Sequence, residues 1–188
     1  MRIITGTLKG RVIPIPETDE LRPTSDRTKE GLFGVITARR FFEGTVALDL
    51  FAGSGNLGIE AISRGTDQVL FVDRNPEHTR HVEKLARQFG IVDRVQTITR
   101  PVEEFLEKRI ASYDLIFCDP PYDYFFMEEM IDVILEKKWL KEDGWFILEH
   151  DKRHDFSSHT NCIFRKPYGR TIVSIFQAEA VDSDKAPG

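Results

Sequence analysis

The stretch Asp49-Leu50-Phe51-Ala52-Gly53-Ser54-Gly55-Asn56-Leu57-Gly58 joins an apolar, β-prone run, Val46 to Phe51, to a helix-prone stretch, Leu57 to Arg64. Its glycines fall as GxGxxG from Gly53 to Gly58, a strand-to-helix turn where the missing side chains let a ligand approach the backbone. The chain downstream repeats the alternation that this turn begins. Val69 to Asp73 reads as a strand, Glu77 to Phe89 as a helix, Val95 to Thr99 as a strand and Val102 to Ile110 as a helix. Leu115 to Cys118 supplies a fourth strand, Phe125 to Lys138 a helix and Trp145 to Glu149 a fifth strand. Cys162 to Lys166 and Thr171 to Gln177 follow without a long helix between them, which predicts an antiparallel hairpin at the sheet edge. The whole predicts an α/β fold: a doubly wound, mainly parallel, seven-stranded Rossmann-like sheet.

Upstream of the glycine turn, Arg2 to Gly6 and Gly10 to Ile15 are two short β-prone runs separated by turn residues, which predicts a hairpin stopped by Pro14 and Pro16. Ser25 or Asp26 can cap a helix whose apolar side carries Leu32, Phe33, Ile36 and Phe41, predicting a helix from about Asp26 to Phe41. Residues 1–42 thus form a hairpin-and-helix extension of a single domain spanning residues 1–177. The polar tail 178–188 lacks periodicity and is expected to be disordered.

A chain of 188 residues with 40% hydrophobic content suits one globular domain with a core and a ligand cleft. No apolar run approaches the roughly 18 residues of a membrane span, and the N-terminus lacks the unbroken apolar stretch of a signal peptide. A soluble, cytoplasmic protein without membrane association is expected. Cys118 and Cys162 stand in apolar β-like runs without CxxC partners, and His78 and His81 have no acidic or cysteine cluster beside them. Neither a disulfide nor a metal site is indicated; the cysteines read as structural thiols and the histidines as surface residues. The net charge of −5 is uneven: the first 40 residues carry eight Lys/Arg against five Asp/Glu, a balance of +3 that leaves −8 for the rest. An electrostatic grip on nucleic-acid phosphates would begin in this segment, although a solvated surface accounts for the charge equally well.

A dinucleotide site also uses GxGxxG, and the discriminator is Asp49, an acid placed before the glycines. Its carboxylate would repel a pyrophosphate. S-adenosyl-L-methionine carries an ammonium and a sulfonium, so the same carboxylate can hold its cationic amino-acid end. Asp73, 24 residues after Asp49 at the end of the next strand, is placed to accept the ribose hydroxyls of an adenosine cofactor. The alternative is that Asp49 only caps the loop and Asp73 only turns the chain. The cofactor set read from this region is Asp49, Phe51, Ala52, Gly53, Ser54, Gly55, Asp73 and Arg74.

Asp119-Pro120-Pro121-Tyr122 directly follows the strand Leu115 to Cys118, which places it at the carboxyl end of the sheet beside the glycine loop. A base amine is a weak nucleophile because its lone pair is delocalised into the ring. The Asp119 carboxylate and the Pro120 carbonyl can accept its N–H hydrogen bonds, orienting the lone pair and stabilising the charge that develops on nitrogen. Pro120 and Pro121 restrict the backbone, and Tyr122 offers a flat face to a base presented outside its helix. A Pro-Pro turn without chemical role is the bland reading, disfavoured by the glycine loop upstream. Thiolate attack by Cys118, as in carbon-5 methylation, is disfavoured because alternation turns its side chain away from Asp119.

Taken together, Arg22-Pro23-Thr24-Ser25-Asp26-Arg27-Thr28-Lys29-Glu30, Asp49 to Gly55 and Asp119 to Tyr122 resemble the bacterial 16S rRNA guanine-N2 methyltransferase family, the RsmD type. The resemblance spans roughly residues 1–177, and its most discriminating element is the N-terminal Arg-Pro-Thr-Ser-Asp-Arg stretch. It implies methylation of the N2 amine of a 16S rRNA guanine, within a small ribosomal subunit or its assembly intermediate. It also implies that Asp49, Gly53 and Gly55 line the methionine end of the cofactor, Asp73 its ribose, and Asp119 to Tyr122 the reacting base. Thr24 joins the cofactor set, and Arg11, Arg22 and Arg27 are the candidate RNA contacts. Thr99-Arg100-Pro101-Val102 departs from the family pattern by offering no carboxylate near the adenine amine. Two other functions remain: a DNA adenine-N6 methyltransferase, for which 188 residues leave little room for a target-recognition domain, and a catalytically inactive RNA-binding assembly factor, against which the intact Asp49, Asp73 and Asp119 count.

Overall fold

The computed structural model describes residues 1–16, 26–108 and 111–178. Its elements in chain order are α1 (Asp26–Thr37), β1 (Val46–Leu50), α2 (Asn56–Arg64), β2 (Gln68–Asp73), α3 (Pro76–Phe89), β3 (Val95–Thr99), α4 (Val102–Leu106), β4 (Tyr113–Cys118), α5 (Met127–Glu136), β5 (Leu140–His150), β6 (Cys162–Tyr168) and β7 (Thr171–Gln177). They build one seven-stranded sheet in the order β3-β2-β1-β4-β5-β7-β6. The five strands from β3 to β5 pair in parallel, whereas β7 pairs antiparallel with both β5 and β6. The predicted mainly parallel sheet with an antiparallel edge pair is therefore observed.

Strand alternation divides the core in two. Ala47, Val69, Phe71, Leu115, Phe117, Trp145 and Ile147 face a cluster shared with α1, α2 and α3. Their neighbours Leu48, Leu70, Val72, Ile116, Cys118, Phe146 and Leu148 face the opposite cluster with α4 and α5. The order reverses between β1 and β4, the place where an open parallel sheet leaves a crevice at its carboxyl edge.

Several boundaries differ from expectation. The first helix stops at Thr37; the chain turns through Ala38 and Arg39, so Phe42, 3% exposed, reaches the core and stacks near Phe33, leaving Phe41 at 87% exposure. The helix expected from Phe125 begins at Met127, with Phe125 and Phe126 exposed. The helix starting at Val102 ends at Leu106. The opening hairpin has one antiparallel bridge, Arg2 to Val12, supported by the Ile3 N–H on the Arg11 carbonyl and the Gly10 N–H on the Ile3 carbonyl. Residues 179–188 of the expected tail lie outside the described residues.

The N-terminal segment is fastened to α2. Lys29 of α1 and Glu60 of α2, both fully buried, form an ion pair at 3.2 Å. Glu60 also accepts the N–H groups of Ile4 (2.9 Å) and Thr5 (3.1 Å), and Lys29 donates to Asn56 Oδ1 (2.8 Å) and the Arg2 carbonyl (2.6 Å). Gly6 lies against Ser63, with φ +91° and no room for a Cβ. Among the described residues, no helix is long and apolar enough to cross a membrane.

Candidate active site

A cleft of about 360 Å³ opens at the carboxyl edge of β1, β2, β4 and β5. The glycine turn contributes Phe51, Ala52, Gly53 and Ser54; α2 contributes Asn56 and Leu57; β2 and the turn after it contribute Asp73 and Arg74. The turn after β4 contributes Asp119, Pro120, Pro121, Tyr122 and Asp123. The glycine loop and the Asp-Pro-Pro-Tyr turn, 64 residues apart from Gly55 to Asp119, thus share one cleft.

Four carboxylates cross the cleft strand by strand. Asp49 pairs with Phe71 on β2 and Phe117 on β4, so Asp49, Asp73 and Asp119 project to the same sheet face by alternation. Glu149 of β5 shares that face with Ile147. Asp49, Asp73 and Glu149 are buried, at 2%, 6% and 3% exposure. Burial pushes the Asp49 carboxyl well above the usual carboxylate range, and repulsion from Asp119 and Asp73 adds to this, against the Gly58 N–H bond that pulls it down. Arg74, the one lysine or arginine among the described residues lining the cleft, is exposed.

Two of these acids also hold the backbone. Asp49 Oδ2 accepts the Gly58 N–H at 2.9 Å, and a Cβ on Gly58 would stand 2.3 Å from the Phe71 ring. Asp73 accepts the N–H groups of Gly53 and Asn75, each at 2.8 Å. The capping roles weighed against cofactor binding are therefore real, and both side chains still line the cleft. Phe51 has a left-handed backbone (φ +54°), a conformation costly for a non-glycine residue, and its ring meets Tyr124 edge-on at 5.0 Å between centroids.

Gly55 takes a different place. With φ +76° it caps α2, and a Cβ there would meet Val82 at 2.9 Å; it is not among the cleft-lining residues. Arg11 is exposed with its guanidinium over the Phe89 ring, and Arg27 is exposed in the first turn of α1. Arg22 and Thr24 lie outside the described residues. Arg100 approaches Asp73 through its backbone, its N–H donating to the Asp73 carbonyl at 2.9 Å.

His78, expected on the surface, is instead buried at 4% exposure, because α3 packs its buried face on β2 and β3. Its Nδ1 stands 3.1 Å from Asp73 Oδ1, and the residue lines the cleft. His81 is half-buried. Met1, Ile15, Glu149 and Thr171 also line the cleft without having been selected from sequence. Strand alternation was the available signal for Glu149; nothing local marked the others. Cys118 is fully buried, its thiol 3.8 Å from the Met130 sulfur and pushed well up by burial, as expected of a structural thiol. Among the described residues, no group of three or more His, Cys, Asp or Glu could hold a metal ion.

A family profile described as conserved hypothetical protein 95 matches residues 1–177. YlbH of Bacillus subtilis is 34% identical, covering 94% of this chain and 98% of that protein. Ribosomal RNA small subunit methyltransferase D of Haemophilus influenzae is 30% identical, covering 93% of this chain and 91% of that protein. The solved structure of yhhF from Escherichia coli superposes with a TM-score of 0.83 at 27% identity, covering 96% of this chain and 98% of that one. With nearly its whole length matched, the chain belongs to the conserved hypothetical protein 95 family, the RsmD type.

Proposed function

We propose that this chain is an S-adenosyl-L-methionine-dependent rRNA methyltransferase that methylates the exocyclic N2 amine of a guanine in 16S rRNA. Its substrate is the small ribosomal subunit or an assembly intermediate, and its place of work the cytoplasm. The observation that carries this reading is that the Asp119 to Tyr122 turn and the glycine loop line the same cleft. The relatives from Haemophilus influenzae and Escherichia coli, both named ribosomal RNA small subunit methyltransferase D, support rRNA as the substrate.

The residues present fit this cofactor. Buried acids that repel one another, with Asp49 held above its ordinary range, make a cleft that favours a cation and disfavours a pyrophosphate. Asp49 would hold the cationic amino-acid end, Asp73 the ribose, and Phe51, Ala52, Gly53, Ser54 and Arg74 the surrounding wall. When bound, the cofactor supplies an electrophilic methyl on sulfur and leaves as a neutral thioether. The chain's own work is to position the amine. Asp119 and the Pro120 carbonyl accept its two N–H bonds, aim its lone pair and stabilise the charge that grows on nitrogen. The proton released once the new N–C bond forms passes to Asp119 or to water. Tyr122, 41% exposed at the cleft mouth, stacks on the base.

The test is transfer of labelled methyl to small subunits from a strain lacking the gene, followed by digestion to nucleosides, with Asp119→Ala alongside. Label in N2-methylguanosine that falls by about 10²- to 10³-fold in the variant is expected. Label in N6-methyladenosine, or on DNA alone, would overturn the substrate. Absence of cofactor binding by calorimetry would point to an inactive assembly factor.

A further inference from the structure

The row of acids runs one strand beyond those the proposed chemistry uses. Cys118 of β4 pairs with Leu148 of β5, so Asp119 and Glu149 each follow that pair on parallel strands. Cys118 and Leu148 point into the α4 and α5 side of the core. Alternation therefore turns Glu149 to the opposite face, with Asp49 and Asp73. Along the sheet the order is Asp73, Asp49, Asp119, Glu149. Glu149 thus lies on the far side of the reaction turn from the residues assigned to ribose and methionine. At 3% exposure it lines both the cleft and a small recess behind Asp119, Pro120 and Tyr122, closed by Met127 and His150.

We infer that Glu149 is the residue that selects guanine, accepting the N1–H of the base while Asp119 and the Pro120 carbonyl take the N2 hydrogens. The inference rests on the reading under Proposed function. An ionised carboxylate only accepts hydrogen bonds. Guanine presents two adjacent donors on its pairing edge, N1–H and the N2 amine. Adenine and cytosine set a lone pair beside their amine, at N1 and N3, and uracil has no amine. Against Glu149 that lone pair would meet an acceptor inside a buried site, where an unmatched polar group costs more than the bond it forgoes. Sites built this way reject the mismatched analogue strongly. The amine turn alone, which only needs an N–H donor, draws no such distinction.

The experiment uses the full chain and Glu149→Gln, which keeps the shape and can donate as well as accept. Cofactor affinity is measured by calorimetry, and single-turnover transfer on subunits reconstituted with ligated 16S rRNA. The methylated position carries either guanine or 2-aminoadenine, which keeps the N2 amine, replaces N1–H with a lone pair and carries an amine in place of O6, so the change in preference on Glu149→Gln is the deciding reading. The wild type should prefer guanine by about 100-fold or more, and Glu149→Gln should narrow that preference to about 10-fold or less, with cofactor affinity within about twofold of wild type. Three results overturn the inference: a wild type that accepts both bases alike, a variant that keeps the full preference, or a variant whose cofactor affinity drops about tenfold, which would make Glu149 a cofactor ligand. Failure of the underlying reading looks different, since the wild type would then place no label in N2-methylguanosine.

Discussion

Gly58 and Glu60 stand two residues apart on α2, yet they meet buried charge in opposite ways. Glu60 is compensated from every side, by Lys29, by Arg64 at 2.9 Å and by two N-terminal N–H groups. Burial pulls the Lys29 ammonium below its ordinary range and Glu60 pulls it back. Gly58 donates to Asp49, whose other close charges are the like charges of Asp119 and Asp73. A buried charge satisfied by its own chain ties segments together; one left under repulsion marks where a ligand of opposite charge belongs.

Glu60→Ala leaves Lys29 buried without its carboxylate and should cost about 3–5 kcal/mol of stability by denaturant titration; a loss near zero would mean the pair holds nothing.

Asp49→Asn should do the reverse. It keeps an acceptor for Gly58 and removes a carboxylate that burial destabilises, so thermal stability should rise, while cofactor affinity falls by about 1.5–3 kcal/mol, read by calorimetry. The sign of the pH effect follows from the raised carboxyl. The folded state favours protonated Asp49, so wild-type stability relative to the variant falls as pH climbs from the unfolded value of about 3.9 through the raised folded one. Cofactor binding strengthens over the same window, because the ionised form holds the cation. A variant less stable than wild type would make Asp49 chiefly a helix cap.

Gly6→Ala sharpens the docking side. Its Cβ would stand 1.7 Å from the Ser63 carbonyl oxygen, costing about 1–3 kcal/mol as the N-terminal segment shifts. Because Met1 and Ile15 line the cleft, cofactor affinity should also weaken by calorimetry; unchanged affinity would separate docking from binding. The smallest effect is expected of Arg11→Ala, about 0.5–1 kcal/mol for the contact with Phe89. Cofactor affinity should stay put while KM for subunits rises if Arg11 meets RNA phosphate, and a flat KM would remove it from the RNA-binding set.

The glycine turn, Asp73 and the Asp-Pro-Pro-Tyr turn could be read in the chain because each is a local event at the end of an apolar run. Phe41 and Phe42 show the limit of that reading: a helical period chose the first, and a turn after Thr37 buried the second. His78 shows another, since the lack of metal-ligating neighbours in the chain said nothing of the sheet beneath α3 that buries it.

Periodicity and turn chemistry determined which segments are strands and helices, and put Asp49, Asp73 and Asp119 at strand ends. Strand order decided the rest. Glu149 became the neighbour of Asp119 because β5 pairs with β4, and Met1 and Ile15 reached the cleft because Glu60 and Ser63 hold the N-terminal segment on α2. Adjacency across a sheet depends on crossover packing and buried partners distant in the chain, and spacing along one segment carries no record of either.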